Sequence, residues 1–417
     1  MIHAAIAGTA GRRWITTWTA APVHIGPAEL PPEPFTRDGA VLADATLRQT
    51  LRVSAGGSAF RLRLSNAFGA AELTITSAAV ALPEGGRSGA SSITDGTSRP
   101  LTWGGRPAAV IPPGAHLVSD PVGWPLQPDA TLTVTLYLAA GCAAGGVTAH
   151  PGSRTTSHLL PGSHVHDEHL PGAVAVDHWY FLSAVEAHAP RGTGVAVMLG
   201  DSLTDGRGST TNGNDRWPDL LSARLRSRAG IVNQGIGGNR VLRDGIGASV
   251  LARLDRDVLA VSGVRWLVVF AGVNDLGTTE PTDAATKQAA ADLMAAYEQI
   301  IIRAHASGIR VYGATLTPFG GNVPYDDAQG RREAARQEVN AWLRGVAGLT
   351  GLDSVLDFDR AVRDPRHPAR VLPGLHDGDH LHLNPEGYRA LAAEVGDGLF
   401  RPGGQAPLTE FDGRNPR

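Results

Sequence analysis

The stretch VAVMLGDSL at residues 195–203 decides the fold class. Its first five residues form an apolar run of the length and composition of a strand buried on both faces of a sheet. The tetrapeptide GDSL at 200–203 follows without a gap, and a helix-like segment over 217–228 comes next. A strand, a glycine turn and a helix in this order begin a βαβ unit, so the stretch predicts a parallel sheet.

Downstream, short apolar runs continue to alternate with helix-like segments, of which 284–306 and 331–343 are the clearest. The apolar runs lie at 231–233, 266–271, 311–316 and 355–358. This alternation predicts an α/β domain with helices on both faces of a parallel sheet. In such a sheet a functional site is expected at the carboxyl ends of the strands.

Upstream, residues up to 185 follow the two-residue period of β-strands. Apolar and polar side chains alternate over 47–53 and, after Gly56 and Gly57, again over 60–64, which predicts a β-hairpin. Further strands follow between Pro- and Gly-rich turns. The pattern predicts an all-β sandwich or jelly roll. Because 417 residues are too many for one ordinary core, we expect two domains, at 1–185 and 186–417, with a linker over 184–194.

Composition limits the classes of partner. The net charge of −3 gives no electrostatic reason to expect nucleic acid or an anionic membrane. No stretch reaches the roughly 18 apolar residues of a membrane span. The single cysteine, Cys142, excludes an intrachain disulfide, and the first ten residues lack the apolar core of a signal peptide. A cytoplasmic protein and an exported protein without its signal both stay open, and the sequence carries no signal for an oligomeric state.

Ser202 follows the first predicted strand of the second half directly. A helix start at this point supplies free N–H groups and a positive potential, which favour a developing oxyanion. The serine could equally be a helix N-cap, which stabilises a helix by about 1 kcal/mol. The tetrapeptide alone therefore leaves the chemical and the structural interpretations equally open.

Three further segments shift this balance. GIGGN at 235–239 follows the second strand, and GVND at 272–275 follows the third and brings the amide of Asn274 to the same edge. Asp379 and His382 supply a carboxylate and an imidazole three residues apart. Each segment alone has an ordinary explanation as a turn, a cap or a surface ion pair. Together they provide the hydroxyl, base, orienting acid and oxyanion donors that acyl transfer requires.

These segments resemble the conserved blocks of the SGNH, or GDSL, hydrolase superfamily. The resemblance implies a flavodoxin-like domain in which Ser202 is the nucleophile and Asp379 and His382 are the acid and the base. It further implies an oxyanion hole formed by the N–H groups of Ser202 and Gly238 and the amide of Asn274. A hydrolase of this kind requires no cofactor and no metal.

Longer phrases narrow the resemblance. GDSLTDGRGSTTN (200–212), NQGIGGNRVL (233–242) and DHLHLNPEGY (379–388) are similar to a branch of arylesterases and acylhydrolases associated with bacterial xylan-degrading gene clusters. WITTWTAAP (14–22) and RLRLSNAFG (61–69) are similar to the β region of that branch. The similarity to this branch implies that the protein is a serine esterase that acts on short acyl groups, especially acetyl groups on carbohydrates. It also implies export from the cell.

The register of the acid and base has two solutions, because DGDH at 377–380 overlaps DHLH at 379–382 and has the same spacing. The family pattern places an asparagine and then a Gly-Tyr pair after the histidine. Asn384, Gly387 and Tyr388 fit that pattern behind His382, so we expect the second register and keep Asp377 and His380 as the minor one.

Other functions remain as alternatives. Acyl transfer to an acceptor other than water uses the same residues. A carbohydrate-binding protein would use the β half and carry a vestigial hydrolase half, although the intact site argues against this. A metal site is a further alternative, but it would leave the serine and asparagine segments unexplained and the chain has no H-E-x-x-H. Its ligands would come from His376, Asp377, Asp379, His380 and His382.

Overall fold

The computed structural model describes residues 11–226, 228–346 and 351–401. The signal-peptide prediction concerns residues 1–10 and lies outside the described residues, as do the last residues of the predicted second domain, 402–417. No helix among the described residues is both long enough and apolar enough to span a membrane.

The first half of the described chain consists of short strands with turns between them. They are β1 (Arg12–Thr19), β2 (Val23–His24), β3 (Thr36–Arg37), β4 (Ala40–Val41), β5 (Ala45–Arg52), β6 (Phe60–Ser65), β7 (Leu73–Ile75), β8 (Ser77–Ala81), β9 (Arg99–Pro100), β10 (Ala109–Ile111), β11 (His116–Val118), β12 (Thr131–Leu138), β13 (Cys142–Ala143), β14 (Thr148–Pro151), β15 (Ser157–Pro161), β16 (Val174–Val176), β17 (His178–Tyr180) and β18 (Leu182–Pro190). Single 3-10 turns lie at Pro27–Glu29 and Glu84–Gly86.

Two antiparallel sheets form the body of this half. One has the strand order β1-β18-β6-β11 and the other β16-β15-β5-β12-β8-β9, and smaller two- and three-stranded sheets flank them. Leu51 and Leu136 of the larger sheet share one core with Leu62 and Val185 of the smaller sheet. The predicted β-sandwich-like domain is therefore confirmed.

The hairpin predicted around Gly56 and Gly57 is wrong. β5 pairs with β12 and β15, whereas β6 pairs with β18 and β11, so the two strands lie in different sheets. A Cβ atom on Gly57 would lie 2.9 Å from the backbone of His188 in β18, so this glycine lets the chain cross closely from one sheet to the other. The two-residue period identified both strands correctly but carries no information about the partner of each.

The second half is an α/β domain. Its strands are β19 (Gly194–Gly200), β20 (Ala229–Gly235), β21 (Val264–Phe270), β22 (Arg310–Ala314) and β23 (Ser354–Leu356). Its helices are α1 (Ser202–Asp205), α2 (Trp217–Leu225), α3 (Val250–Leu254), α4 (Val273–Gly277), α5 (Asp283–Ala306), α6 (Arg331–Val346), α7 (Phe358–Val362) and α8 (Pro385–Glu394), with a π-helical turn at Asp255–Leu259. All strands are parallel, in the order β20-β19-β21-β22-β23. This is the flavodoxin-like order, as predicted, with its switch point at β19.

The segment 184–194, predicted as a linker, is mostly strand. Most of it belongs to β18, which pairs with β1 and β6. The two halves also exchange core residues: Ile15 of β1 is buried in the core of the α/β half, and Ile236 after β20 is buried in the core of the β half. The boundary predicted between residues 185 and 186 would divide β18, so we propose to place the division after Pro190.

Candidate active site

Ser202 lies at the carboxyl end of the central strand, as the first residue of α1. A Cβ atom on Gly200 would lie 2.2 Å from Oγ1 of Thr204 and 2.6 Å from the carbonyl oxygen of Phe270, so only glycine allows this sharp turn. Asp201 caps the helix by accepting the N–H of Leu203. The cap is therefore the aspartate before Ser202, which leaves the serine hydroxyl free for another partner.

That partner is His382. Its Nε2 lies 2.8 Å from Oγ of Ser202, although 180 residues separate the two in the sequence. On the other side of the ring, Nδ1 lies 2.5 Å from Oδ2 of Asp379. Ser202 and His382 are both buried, whereas Asp379 is partly exposed. The structure thus brings the three predicted residues into one hydrogen-bonded chain.

The local backbone explains how Asp379 and His382 meet. They do not lie on a helical turn, because the segment before α8 consists mainly of bends. Instead, Oδ1 of Asp379 accepts the backbone N–H groups of Leu381 and His382 at 2.9 and 2.8 Å, which curls the chain around the carboxylate. The same side chain therefore shapes the turn with one oxygen and contacts the imidazole with the other.

The residues after His382 hold this turn in place. Asn384 is the N-cap of α8 and accepts the N–H of Gly387. A Cβ atom on Gly387 would lie 2.2 Å from the carbonyl oxygen of Leu375, and the hydroxyl of Tyr388 donates to the carbonyl of Arg207 at 2.6 Å. Asn384, Gly387 and Tyr388 thus stabilise the chain directly behind His382.

The minor register brings no histidine to the serine. His380 has a left-handed backbone, with φ of +64°, and its ring contacts Gly321 and the ring of His376. The backbone N–H of Asp377 donates to the carbonyl of His382, and a Cβ on Gly208 would lie 3.1 Å from its carboxylate. His380 therefore contacts His376 and Gly321, and the described contacts do not include one between His380 and Ser202.

The pKa values of His382 and Asp379 are both lowered, but for different reasons. Burial lowers the pKa of His382 below its ordinary value, and the hydrogen bond and charge of Asp379 offset this only in part. Burial alone would raise the pKa of Asp379, but the hydrogen bonds from the side chain and backbone of His382 and from Leu381 lower it to about 2. Near neutral pH this favours a neutral imidazole beside an ionised carboxylate, which is the state that a general base needs.

Three residues offer hydrogen-bond donors at the site, namely Ser202, Gly238 and Asn274. Within the described part of the chain, the N–H groups of Ser202 and Gly238 donate to no acceptor. Asn274, in α4 beyond the neighbouring strand, donates from Nδ2 to the carbonyl of Asn239 at 2.8 Å. Because a carbonyl oxygen can only accept, this contact fixes which end of the amide is nitrogen and leaves its second N–H for another acceptor.

Tyr325 completes this arrangement, although no sequence pattern indicates its role. Its hydroxyl donates to Oδ1 of Asn274 at 2.6 Å. Burial raises the pKa of Tyr325, so the hydroxyl remains a proton donor. The residue lies in an irregular segment 51 positions after Asn274, without a strand or motif next to it. Only the fold brings the two side chains together.

The proposed acid and base are also the groups that could hold a cation. Among the described residues, the group with compatible spacing is Asp377, Asp379 and His382, whose ligand atoms lie within 4.8 Å of one another. His376 and His380 are not part of this group. A cation bound by this group would be coordinated by Nδ1 or Nε2 of His382. It would therefore compete with the hydrogen bond of that nitrogen to Asp379 or to Ser202.

Comparison with known proteins gives one family. The sequence model of the GDSL-like Lipase/Acylhydrolase family matches residues 198–390, which is just under half of the chain. No curated protein matches the chain.

Several solved structures are similar to about half of the chain. A G-D-S-L family protein from Desulfitobacterium hafniense DCB-2 is 21% identical with a TM-score of 0.37, and the match covers 48% of this chain and 95% of that chain. A GDSL-like lipase from Bacteroides thetaiotaomicron VPI-5482 is 18% identical with a TM-score of 0.35, covering 48% and 83%. An acetyl xylan esterase is 21% identical with a TM-score of 0.36, covering 48% and 96%.

The matched residues run from the strand before Ser202 to the helix behind His382, and thus include the parallel sheet and both ends of the hydrogen-bonded chain. The protein is therefore a hydrolase whose residues 198–390 belong to the GDSL-like lipase/acylhydrolase family.

Proposed function

We propose that the protein is a serine esterase that hydrolyses short-chain acyl esters. The observation that carries the proposal is the hydrogen-bonded chain from Oγ of Ser202 through the ring of His382 to Asp379, with distances of 2.8 and 2.5 Å. A hydroxyl, an imidazole and a carboxylate in this order form an activated nucleophile. The site needs no metal or organic cofactor for this chemistry.

In the first half-reaction Ser202 attacks the ester carbonyl while Nε2 of His382 takes the hydroxyl proton. Asp379 holds the Nδ1–H tautomer and stabilises the imidazolium that forms. The N–H groups of Ser202 and Gly238 and the amide of Asn274 donate to the oxyanion, and losing one such donor typically costs about 2.7–4 kcal/mol of barrier. His382 then protonates the leaving alcohol.

In the second half-reaction a water molecule takes the place of the alcohol. His382 removes a proton from this water as it attacks the acyl carbonyl, and the oxyanion is met by the same donors. When the tetrahedral intermediate collapses, His382 returns a proton to Oγ of Ser202 and the carboxylic acid leaves.

The position of Ile246 supports the proposal that the acyl group is short. Its side chain packs on Gly238 so closely that a Cβ atom on the glycine would lie 2.9 Å from Cδ1 of Ile246. The acyl chain of a bound ester begins one bond from the carbon whose oxygen occupies the oxyanion hole. A branched aliphatic side chain beside the hole therefore limits the room on this side of the site.

The alcohol is proposed from the sequence resemblance, which implies acetyl groups on carbohydrates. The β half would then be a non-catalytic domain beside the hydrolase half. Acetylated xylan and acetylated monosaccharides, compared with p-nitrophenyl acetate and longer p-nitrophenyl esters, test the two parts of the substrate separately.

The decisive test of the mechanism is Ser202→Ala, assayed with p-nitrophenyl acetate. We expect turnover to be abolished and thermal unfolding to be nearly unchanged, because Asp201 and not Ser202 caps α1. Prolonged treatment of the wild-type protein with EDTA and a strong zinc chelator should leave its activity intact. An active Ser202→Ala variant would overturn the serine mechanism, and loss on chelation with recovery on added metal would favour a metal site.

A further inference from the structure

His150, at the end of β14, is a histidine of the β half whose ring reaches into the hydrolase half. Its Nδ1 lies 2.8 Å from the carbonyl oxygen of Ala21, and its Nε2 lies 2.8 Å from Oδ1 of Asp205 in α1. His150 and Asp205 are only 4% and 3% exposed. A carbonyl can only accept, so Nδ1 carries a proton, and Nε2 shares a second proton with the carboxylate. The contact is therefore a buried hydrogen bond between the two halves.

The ring of His150 is itself held rigidly. It stacks on Trp179 with ring centroids 5.8 Å apart and an interplanar angle of 29°. Trp179 is buried and donates from Nε1 to the carbonyl of Thr50 in the core of the sandwich. The guanidinium of Arg216 lies 5.8 Å from the same tryptophan ring. His150 thus offers Asp205 a partner that is fixed to the β sandwich.

The helix that Asp205 belongs to cannot hold its own position. α1 has four residues, from Ser202 to Asp205, and a single turn has no stability in isolation. Its backbone is closed by hydrogen bonds from Asp205 N to Asp201 O and from Gly206 N to Ser202 O, both 2.8 Å long. Within this closed turn, a displacement of Asp205 displaces Ser202 as well.

The position of α1 is set from two sides. On the side of the sheet, Nδ2 of Asn233 donates to the carbonyl of Thr204 at 2.6 Å, and a Cβ on Gly235 would lie 2.2 Å from the backbone nitrogen of Asp205. On the side of the β half, the side chain of Asp205 meets His150. The second contact is the one that a hydrolase domain without this β half would lack.

We propose that His150 is a positioning residue for the nucleophile: through Asp205 it fixes the turn that carries Ser202, so that the β half helps to set the reactivity of the serine. The inference rests on the proposed function, because it concerns the distance and angle between Oγ of Ser202 and Nε2 of His382. An effect of this kind acts on the chemical step and leaves the binding of a small ester nearly unchanged.

The test compares His150→Gln and Asp205→Asn, which remove or weaken the contact with little change of volume, with the double variant. The matched control is His158→Gln, because this histidine also belongs to the β half but contacts the carbonyl of Gly89. Three quantities are measured for each: kcat and KM for p-nitrophenyl acetate, the rate at which a fluorophosphonate labels Ser202, and the midpoint of thermal unfolding.

We expect both single variants to lose roughly ten- to a hundredfold in kcat and in labelling rate, with KM changed less than about twofold. The double variant should be little worse than either single variant, because the two side chains act through one contact. His158→Gln should match the wild type. Assays are run well below each unfolding midpoint, so a difference in stability alone does not alter the rates.

Wild-type kcat and labelling rate in both folded variants would overturn the inference and leave the contact a purely structural one. If His150→Gln does not fold, Asp205→Asn, which preserves the shape of the side chain, still distinguishes a positioning role from a purely structural one. This failure is distinct from a failure of the proposed function, which would appear as absence of labelling at Ser202 in the wild-type protein.

Discussion

The hydroxyl of Tyr325 donates a hydrogen bond to Oδ1 of Asn274 across 2.6 Å, while Nδ2 of the same amide donates to Asn239. The asparagine is thus held at both ends, and its free N–H has a fixed direction. We expect Tyr325→Phe to lower kcat for p-nitrophenyl acetate by roughly tenfold, less than the roughly hundredfold or greater loss that is typical when an oxyanion donor is removed completely. KM should change little, because the interaction strengthens only as the oxyanion forms.

The control for this variant is Tyr137→Phe, which also removes one tyrosine hydrogen bond to a side chain, in this case to Asp44 in the β half. It should retain wild-type kcat. Equal rates for Tyr325→Phe and the wild type would show that Asn274 holds its orientation without the tyrosine.

The choice between the two histidines can be tested directly. His382→Ala should lower the rate of ester hydrolysis by several orders of magnitude, because both proton transfers pass through this ring. His380→Ala should matter much less, since its ring lies against Gly321 and His376. Kinetics on purified variants whose folding has been verified by circular dichroism provide the measurement. An inactive His380→Ala beside a nearly normal His382→Ala would reverse the assignment and leave the role of Ser202 intact.

The pH dependence should follow the pKa of His382. The imidazole must be neutral to accept the proton of Ser202, and burial lowers its pKa below the ordinary value of 6.5. The neutral form therefore persists to lower pH than in an exposed histidine. We expect the acid limb of kcat/KM for p-nitrophenyl acetate to have its midpoint below pH 6.5. A midpoint above that value would mean that the charge of Asp379 outweighs burial.

The acyl preference should depend on Ile246. Ile246→Ala removes the side chain that packs on Gly238, and we expect the ratio of kcat/KM for p-nitrophenyl octanoate to that for the acetate to rise several-fold. Ile302→Ala is the control, because Ile302 is similarly exposed but lies on α5. A lower ratio in Ile246→Ala would instead mean that the isoleucine binds long acyl chains.

The two halves should not be separable. A fragment of residues 195–417 lacks Ile15, which is buried in the core of the α/β half, and it exposes Ile236, which is buried in the core of the β half. Truncating one buried isoleucine already costs about 2–5 kcal/mol. We expect the fragment to be insoluble or unfolded, as judged by size-exclusion chromatography and circular dichroism. A soluble fragment with wild-type kcat would contradict this expectation and the proposed role of His150.

Sequence patterns were sufficient where the information is local. The apolar run before Ser202 predicted the first strand of the parallel sheet. The Asn384 and Gly387–Tyr388 pattern behind His382, rather than the spacing from the aspartate, selected the register of the acid and base. Patterns were insufficient where the partner lies far along the chain: nothing near Tyr325 or His150 indicates a contact with Asn274 or with α1. The wrong hairpin has the same cause, since the period of a strand describes its two faces and not its neighbour.

The exchange of Ile15 and Ile236 between the two cores also has a consequence for biosynthesis. β1 is the first strand of the described chain to leave the ribosome, but β18 and β20, against which it packs, follow much later. At 5–20 residues per second, synthesis of the chain between β1 and β20 takes roughly ten seconds or more. During this time Ile15 of β1 cannot reach its buried position, so the nascent β half exposes apolar surface to chaperones until the hydrolase half is made.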